Sequence, residues 1–542
     1  MSELFKQLMQ KRGISDDFLK PKYEDCVDPL LLPDMEKAVE RIEKAVKNGE
    51  KVLVYGDYDV DGITASAVMH DALKLAGVET VDIMLPNRFK DGYGMSKKVV
   101  QRASEDKISL VVTVDCGSMN AEVVDELNEN GVDVVVTDHH ECPEKLPKAV
   151  AVVNPKRQDF EAGDSSVREL AGVGVAFELA RALVKKKMIP EGQEKWLMDL
   201  VLIGTVCDSM RMVGENRRFC FFGVKVLQKT RRLGLRELMR ICKIDKIDTE
   251  AIGFRIGPRL NAAGRMRDAE TALKLLMTES RTEAANLARE LDLLNQERKS
   301  RQVAAVNEIE KRGMTDDPVI VVEGDWHEGV LGIVAGKLVE EYKRPAFVFA
   351  GVEDGLKGSG RSFGEFDLAL ALRACRDVIV GGGGHAAACG VKLAKGGTEQ
   401  FREKVNEYYR GLNLASQERF LEAEEDISVY RTGDFSVEFL EEVRQLEPFG
   451  EGNEEPVFLL KDVYVCDAMK MGETGKHLRL TVWGEDKKEF KAVAFGAEQE
   501  WLKVGFGCRV DMWVKIVENE WRGRKSVEGR IIKMTLVDDE VF

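Results

Sequence analysis

The sequence predicts a multi-domain α/β protein: a parallel-sheet domain, a long connecting helix, a second α/β domain and a C-terminal β-barrel of OB-fold type. Three observations carry this expectation. Between residues 51 and 155, apolar runs of four to six residues alternate with helix-like stretches, the pattern of a parallel sheet covered by helices. From about 214 to 312 strand signals are scarce, and residues 281–312 are rich in Glu, Lys, Arg, Leu and Ala. After about residue 426, short alternating strands separated by turn residues take over, as in a small barrel.

Taken in order, Val52-Leu53-Val54-Tyr55, Leu110-Val111-Val112-Thr113-Val114 and residues 132–137 read as strands, with residues 64–76 and 121–130 as intervening helices. Residues 281–312 set Leu287, Leu291 and Leu294 on one helical face and, at 1.5 Å per residue, would span about 48 Å. The breaker cluster Gly313-Met314-Thr315-Asp316-Asp317-Pro318 ends that helix. Val319-Ile320-Val321-Val322 opens the second block, which closes near the glycine run 381–384 and His385. Barrel strands are expected at 457–465, 477–483, 490–495, 509–517 and 526–536. The resulting domain limits are 1–213, 214–312, 313–428 and 429–542, with no internal repeat or low-complexity tract.

A chain of 542 residues suits about three or four domains. Its ten cysteines include no CxxC pair and no zinc-type spacing, so they read as reduced residues of a cytoplasmic protein. The start, Met1-Ser2-Glu3-Leu4-Phe5-Lys6, lacks a signal-peptide pattern, and no segment approaches the roughly 20 apolar residues of a membrane helix. A soluble protein that does not engage membranes follows. The net charge of −15 argues against a broadly basic nucleic-acid surface. Basic clusters at 255–267 and at Arg522-Gly523-Arg524-Lys525 still leave room for a local groove.

The chemistry lies at strand ends. Five of the six histidines sit in acid- or glycine-rich clusters, foremost Asp138-His139-His140 after the apolar run 132–137. Upstream, the first strand runs into Gly56-Asp57-Tyr58-Asp59-Val60-Asp61-Gly62 and the second into Asp115-Cys116-Gly117. The C-terminal edge of a parallel sheet is where such sheets build sites. A calcium loop is the competing reading of Asp57-x-Asp59-x-Asp61-Gly62, but its twelfth position is Val68 instead of Glu and a strand precedes it. Mixed carboxylate and imidazole ligation suits manganese or magnesium better than zinc or copper. Asp115 could bridge two such ions, which about 3.5–4 Å apart would stabilise both attacking and leaving oxygens of a phosphoester. Asp208 closes the apolar run 200–207 and by itself reads as a helix cap. The glycine run ending in His385 offers backbone N–H groups for phosphate, or is a plain turn. Gly358-Ser359-Gly360-Arg361-Ser362 has the same character with a bidentate donor added. Gly172-x-Gly174 lacks a third glycine and an upstream strand, so it is no dinucleotide fingerprint.

Together these clusters resemble the bacterial single-stranded-DNA-specific 5′→3′ exonucleases of the DHH phosphoesterase superfamily, over nearly the whole chain. The family's first motif resembles Tyr55 to Gly62, its second Val114-Asp115-Cys116-Gly117, its third Asp138-His139-His140, and its fourth ends in Asp208. Gly257-Pro258-Arg259-Leu260-Asn261-Ala262-Ala263-Gly264-Arg265, Trp326-His327-Glu328-Gly329-Val330, Gly358 to Ser362 and Gly382 to His385 are also similar, and Pro448-Phe449-Gly450-x-Gly452-Asn453 resembles the entry to the OB-fold. The Ser209-Met210-Arg211-Met212 stretch departs from the family's Asp-Val-Val-Pro run.

The resemblance implies a DHH catalytic domain, a helical connector, a DHH-associated domain and a nucleic-acid-binding barrel, without the extra C-terminal domain of some longer relatives. It implies two divalent cations, manganese or magnesium, one held by Asp57, Asp59 and Asp115, the other by Asp61, Asp115, His139 and Asp208. His140 would face the scissile phosphate, while Arg88, Arg265, Ser359, Arg361 and His385 would line the substrate's path. The implied activity is hydrolysis of single-stranded DNA from the 5′ end to mononucleotides, in recombination and repair, by a monomer with single-strand-binding protein and a helicase as partners. Trp483, Trp513 and Trp521 are the barrel's candidates for base stacking. The rivals are a DHH phosphodiesterase for short oligonucleotides or cyclic dinucleotides, which needs no polymer-binding barrel, and a non-catalytic DNA-binding scaffold, which would have lost its ligands.

Overall fold

Buried aliphatic runs, each bounded by polar turns, become strands in the first third of the chain because both faces are covered by helices. In the computed structural model these are β1 (Val52–Tyr55), β2 (Val81–Met84), β3 (Leu110–Val114), β4 (Asp133–Thr137) and β5 (Ala151–Val153). The structure describes residues 1–161, 163–412, 414, 424–472, 475–521 and 523–537. All five strands are parallel in the order β2-β1-β3-β4-β5. Leu53, Tyr55, Val111, Val134 and Val136 pack with the helix residues Val99, Val124 and Leu127 on one face. The strand order reverses between β1 and β3, so a crevice opens outside their C-terminal ends.

Residues 214–312 are helical throughout in their regular elements, and the long helix spans Arg281–Arg312. Ser280 caps its start by accepting the Glu283 N–H, and the Glu310 carbonyl receives the N–H of Gly313. The second block holds β6 (Ile320–Gly324), β7 (Ala346–Val352), β8 (Gly355–Arg361), β9 (Gly381–Gly384) and β10 (Ala388–Leu393) in a mixed sheet ordered β6-β7-β8-β10-β9. Here the two glycine motifs differ from the sequence expectation. The run 381–384, read as a phosphate-binding stretch or a plain turn, forms strand β9, laddered antiparallel to β10. In β8, a Cβ on Gly358 or Gly360 would meet the Phe349 or Phe347 ring at 2.3 and 2.7 Å, so these glycines serve core packing. Alternation along the strand then sends Ser359 and Arg361 to the opposite face.

The C-terminal strands β11 (Ile427–Val429), β12 (Phe458–Met471), β13 (His477–Trp483), β14 (Glu489–Ala494), β15 (Arg509–Trp521) and β16 (Arg524–Leu536) form one sheet. Pairing of β12 with β15 closes five of them into a barrel, and β11 adds parallel to β12. The expectation set the first domain at residues 1–213 by sequence order. By contacts the chain divides into two units, Met1–Cys26, Arg211–Phe221 and Glu422–Phe542 as one and Val27–Met210 with Phe222–Leu421 as the other. The reason is apolar burial: Phe5, Leu8 and Met9 of helix Glu3–Arg12 lie in the barrel's own core with Phe439, Phe458 and Val514. Among the described residues no helix is long and apolar enough to cross a membrane, and all ten cysteines are free.

Candidate metal centre

Each expected ligand sits where a strand or helix ends, and close backbone approach sets its direction. After β1, the chain turns through Asp57 and Tyr58 into helix Val60–Leu75, whose N-cap Asp59 accepts the Gly62 N–H at 3.1 Å. A Cβ on Gly62 would lie 2.6 Å from the Asp57 backbone, so this turn requires glycine. Asp57 is buried, and its Oδ1 accepts no hydrogen bond. Asp61 accepts the N–H groups of Gly172 (2.7 Å) and Val173 (2.9 Å) at the start of helix Gly172–Lys185. The positive end of that helix favours the carboxylate.

Asp115 follows β3 with φ 60°, a left-handed conformation that turns its carboxylate over the sheet edge. Its buried Oδ1 accepts no hydrogen bond and lies 3.1 Å from His139 Nε2. The same His139 nitrogen is 3.8 Å from Asp61 and 3.7 Å from Asp208, which follows helix Met198–Cys207. Potential ligand atoms therefore gather in three groups, each within 4.8 Å: Asp57 with Asp59 and Asp115, Asp61 with His139 and Asp208, and Asp115 with His139 and His140. Asp115 and His139 each belong to two of them.

Electrostatics gives these groups a common need. Burial first, and then repulsion from Asp59, pushes Asp57 up to about 8 and Asp61 to about 7. Asp115 and Asp208 also rise well above the carboxylate range through burial and the charge of Asp61. Burial and the neighbouring His140 lower His139 to about 3, which leaves a neutral imidazole. Crowded acids with unmet lone pairs beside a neutral imidazole fit divalent cations of oxygen preference. His140 differs: although burial opposes it, the hydrogen bond between its Nδ1 and Asp138 (2.9 Å) raises its proton affinity. Asp138 also accepts the backbone N–H groups of Ser118, His139 and His140.

A cationic flank adjoins the acids. The Arg88 guanidinium stacks 4.2 Å from the Tyr58 ring centroid, and its buried Nε makes no hydrogen bond. Arg265, in helix Gly257–Met266, is lowered to about 9 by burial and by the charges of Arg88, Arg298 and Arg361. Arg361 Nη1 donates to Ser359 Oγ (3.2 Å), and a Cβ on Gly332 would lie 2.9 Å from Arg361 Nη2. Gly329 is pressed still closer to the Arg265 carbonyl, so the Trp326-to-Val330 turn and the Arg265 helix meet backbone to backbone. His385 is exposed at the β9–β10 hairpin, and among the described residues no contact joins its side chain to this flank.

In the barrel, Trp483 stacks on Tyr464 at 6.1 Å, and exposed Phe506 meets Tyr464 edge-on at 5.9 Å. Trp513 instead donates to Glu425 and lies under Lys533. Arg522 and the Trp521 side chain lie outside the described residues. Sequence reasoning missed Gly172, Val173 and Arg298. The first was visible as Gly172-x-Gly174 but was weighed only against a nucleotide motif, whereas a Cβ there would fall 2.4 Å from Asp115 Oδ1.

The chain has known relatives. Residues 51–205 match the DHH family, N-terminal domain, residues 316–411 the DHHA1 domain, and residues 429–533 the RecJ OB domain. The single-stranded-DNA-specific exonuclease RecJ of Bacillus subtilis (strain 168) is 36% identical over 555 residues, covering 100% of this chain and 69% of that protein. RecJ of Escherichia coli (strain K12) is 35% identical over 74% of each chain. The crystal structure of RecJ in complex with Mn2+ from Thermus thermophilus superposes with a TM-score of 0.85 at 28% identity, covering 99% of this chain and 76% of that one. The Mg2+ complex of that protein gives 0.79 at 26% identity, with 99% and 75% coverage.

Proposed function

The chain belongs to the RecJ family of single-stranded-DNA-specific exonucleases, and from that premise we propose that it is a two-cation nuclease cutting single strands from the 5′ end to mononucleotides. It is a metal-dependent exonuclease for single-stranded DNA. The observation that carries the two-cation reading is the gathering of Asp57, Asp59, Asp61, Asp115, His139 and Asp208 into groups that overlap through Asp115 and His139. Manganese or magnesium, when bound, would neutralise phosphoryl charge and lower the proton affinity of a water.

The chain's own residues do the rest. Asp57, Asp59 and Asp115 would hold one cation, and Asp61, Asp115, His139 and Asp208 the other. The Asp138 carboxylate orients His140 and raises its proton affinity, so the imidazole, when protonated, would offer a charged donor to a non-bridging phosphate oxygen. Arg88, Arg265, Arg361 and Ser359 would receive the 5′-terminal phosphate, which sets polarity by binding an end rather than a sequence. The barrel would hold the incoming strand through Trp483 and backbone contacts. A nuclease confined to single strands needs duplex opened and coated strand handed over, so a helicase and a single-strand-binding protein are the partners proposed, for a cytoplasmic monomer in DNA recombination and repair.

The test is purified protein with Mn2+ and 5′- or 3′-end-labelled single- and double-stranded DNA. Mononucleotides should appear first from the 5′ end of single strands. Internal cuts, or equal loss from both ends, would refute the reading.

A further inference from the structure

Arg298 projects from the long helix with its guanidinium only half-buried, yet it has no anionic partner among the described residues. Its Nε donates to Asn295 Oδ1 at 3.1 Å, and Asn295 is itself buried. The three acids nearest to it in sequence on the same helix are taken: Asp292 by Arg259 at 2.8 Å, Glu297 by Arg301 at 2.8 Å, and Glu290 by Arg267 at 3.7 Å. One turn further along the same helix, Gln302 donates to the Ile333 carbonyl at 3.5 Å, and a Cβ on the adjoining Gly332 would lie 2.9 Å from Arg361 Nη2, so this stretch of the helix packs at the arginine flank, where the charge of Arg298 also acts on Arg265 beside those of Arg88 and Arg361. Four arginines thus converge from four separate elements, the loop after β2, helix Gly257–Met266, the long helix and β8. Partly desolvated like charges repel and lose hydration; Asp59 offsets part of this at Arg265 and Asp57 at Arg88, and the remaining excess of positive charge suits the anions of a ligand. Planar guanidinium forks suit phosphate oxygens.

We propose that Arg298 is a further substrate-binding residue, through which the long helix reaches the phosphate at the 5′ end of the DNA. The inference rests on the nuclease reading above and deepens it. Asn295 acts as a positioning residue, because its amide oxygen fixes Nε and leaves the two terminal nitrogens of Arg298 to the ligand.

Binding is measured first, on the full-length metal-free protein, by calorimetry with pentathymidylate carrying a 5′-phosphate or a 5′-hydroxyl. Arg298→Gln should weaken the phosphorylated ligand about tenfold and the hydroxyl ligand little, as expected for loss of charge-assisted bonds. Arg298→Lys should recover part of the difference. In turnover with Mn2+, KM for the 5′-phosphorylated strand should rise by more than kcat falls. An Arg298→Gln protein with wild-type melting temperature and an unchanged preference for the 5′-phosphate would overturn the proposal. Equal weakening of both ligands would also overturn it, since it would mark a brace or a general backbone contact. If the wild-type protein degraded no single strand, the nuclease reading would fall, while the metal-free binding data would still decide whether Arg298 holds phosphate.

Discussion

Asp115 combines an unusual backbone, φ 60°, with a buried oxygen that accepts no hydrogen bond, and such strain persists where surrounding structure over-determines it. Asp115→Ala should therefore abolish hydrolysis, by about a thousandfold or more, while the fold survives, because the carboxylate serves ligands and not the core. Near-normal turnover in a folded, metal-saturated variant would remove the shared-ligand assignment. Gly172→Ala tests the same carboxylate from outside: its Cβ would fall 2.4 Å from Oδ1, so Mn2+ affinity should drop about tenfold or more. The two cases also mark what a sequence discloses. Asp115 was legible because an acid ends an apolar run, whereas Gly172 acts through space on a residue 57 positions earlier, as 172 minus 115 shows. Protons compete for the same lone pairs. With Asp57 near 8 and Asp61 near 7 in the metal-free protein, Mn2+ affinity should rise with pH through that window. The native state then holds more protons than the unfolded chain between the ordinary carboxylate value near 4 and about 8, so metal-free stability should fall as pH rises across that range. Melting curves at several pH values, with chelator and with Mn2+, would check both signs.

At the scale of elements, periodicity was most readable where one pattern runs long. Residues 281–312 are a helix as expected, since Ser280 and Gly313 supply start and stop around an uninterrupted run of helix formers. The short strand β2 escaped because Asp82 interrupts its apolar run and β5 because three residues carry too little pattern, whereas the equally short β1 is wholly apolar. Glycine-rich stretches misled for a related reason: a missing side chain serves close packing and anion binding equally, and only the Phe347 and Phe349 rings over β8 reveal which applies. On the barrel, pairing of β12 with β13 sets Tyr464 directly opposite Trp483 and stacks their rings, a platform no spacing rule announced. Trp483→Ala should weaken binding of long single strands by about 1–3 kcal/mol while leaving cleavage of dinucleotides intact. Trp513→Phe should do much less, its indole being engaged by Glu425. Fluorescence-anisotropy titrations of labelled poly-dT against both variants separate the two.

For the whole molecule, a net charge of −15 and a DNA substrate are reconciled by segregation: acids gather where cations are needed, and arginines line the adjoining flank. Every proposed metal ligand lies in the unit comprising Val27–Met210 and Phe222–Leu421, so chemistry and strand holding should be separable. A cut after Tyr430 removes the barrel, but it also strips Phe5, Leu8 and Met9 of their cover. The barrel unit further includes Met212, whose N–H bonds the Glu451 carbonyl, and Arg217, which lies 3.5 Å over the Phe18 ring. A truncation that keeps residues 1–26 should therefore aggregate, and one that also removes them should be the more soluble of the two. That shorter protein should still cut very short 5′-phosphorylated oligonucleotides with Mn2+. Its affinity for long single strands should fall, and the slope of log affinity against log salt should flatten by about 0.7 for each phosphate that is no longer neutralised. Full-length affinity with an unchanged slope would mean that the strand is held by the arginine flank alone, and that the barrel does something other than bind DNA.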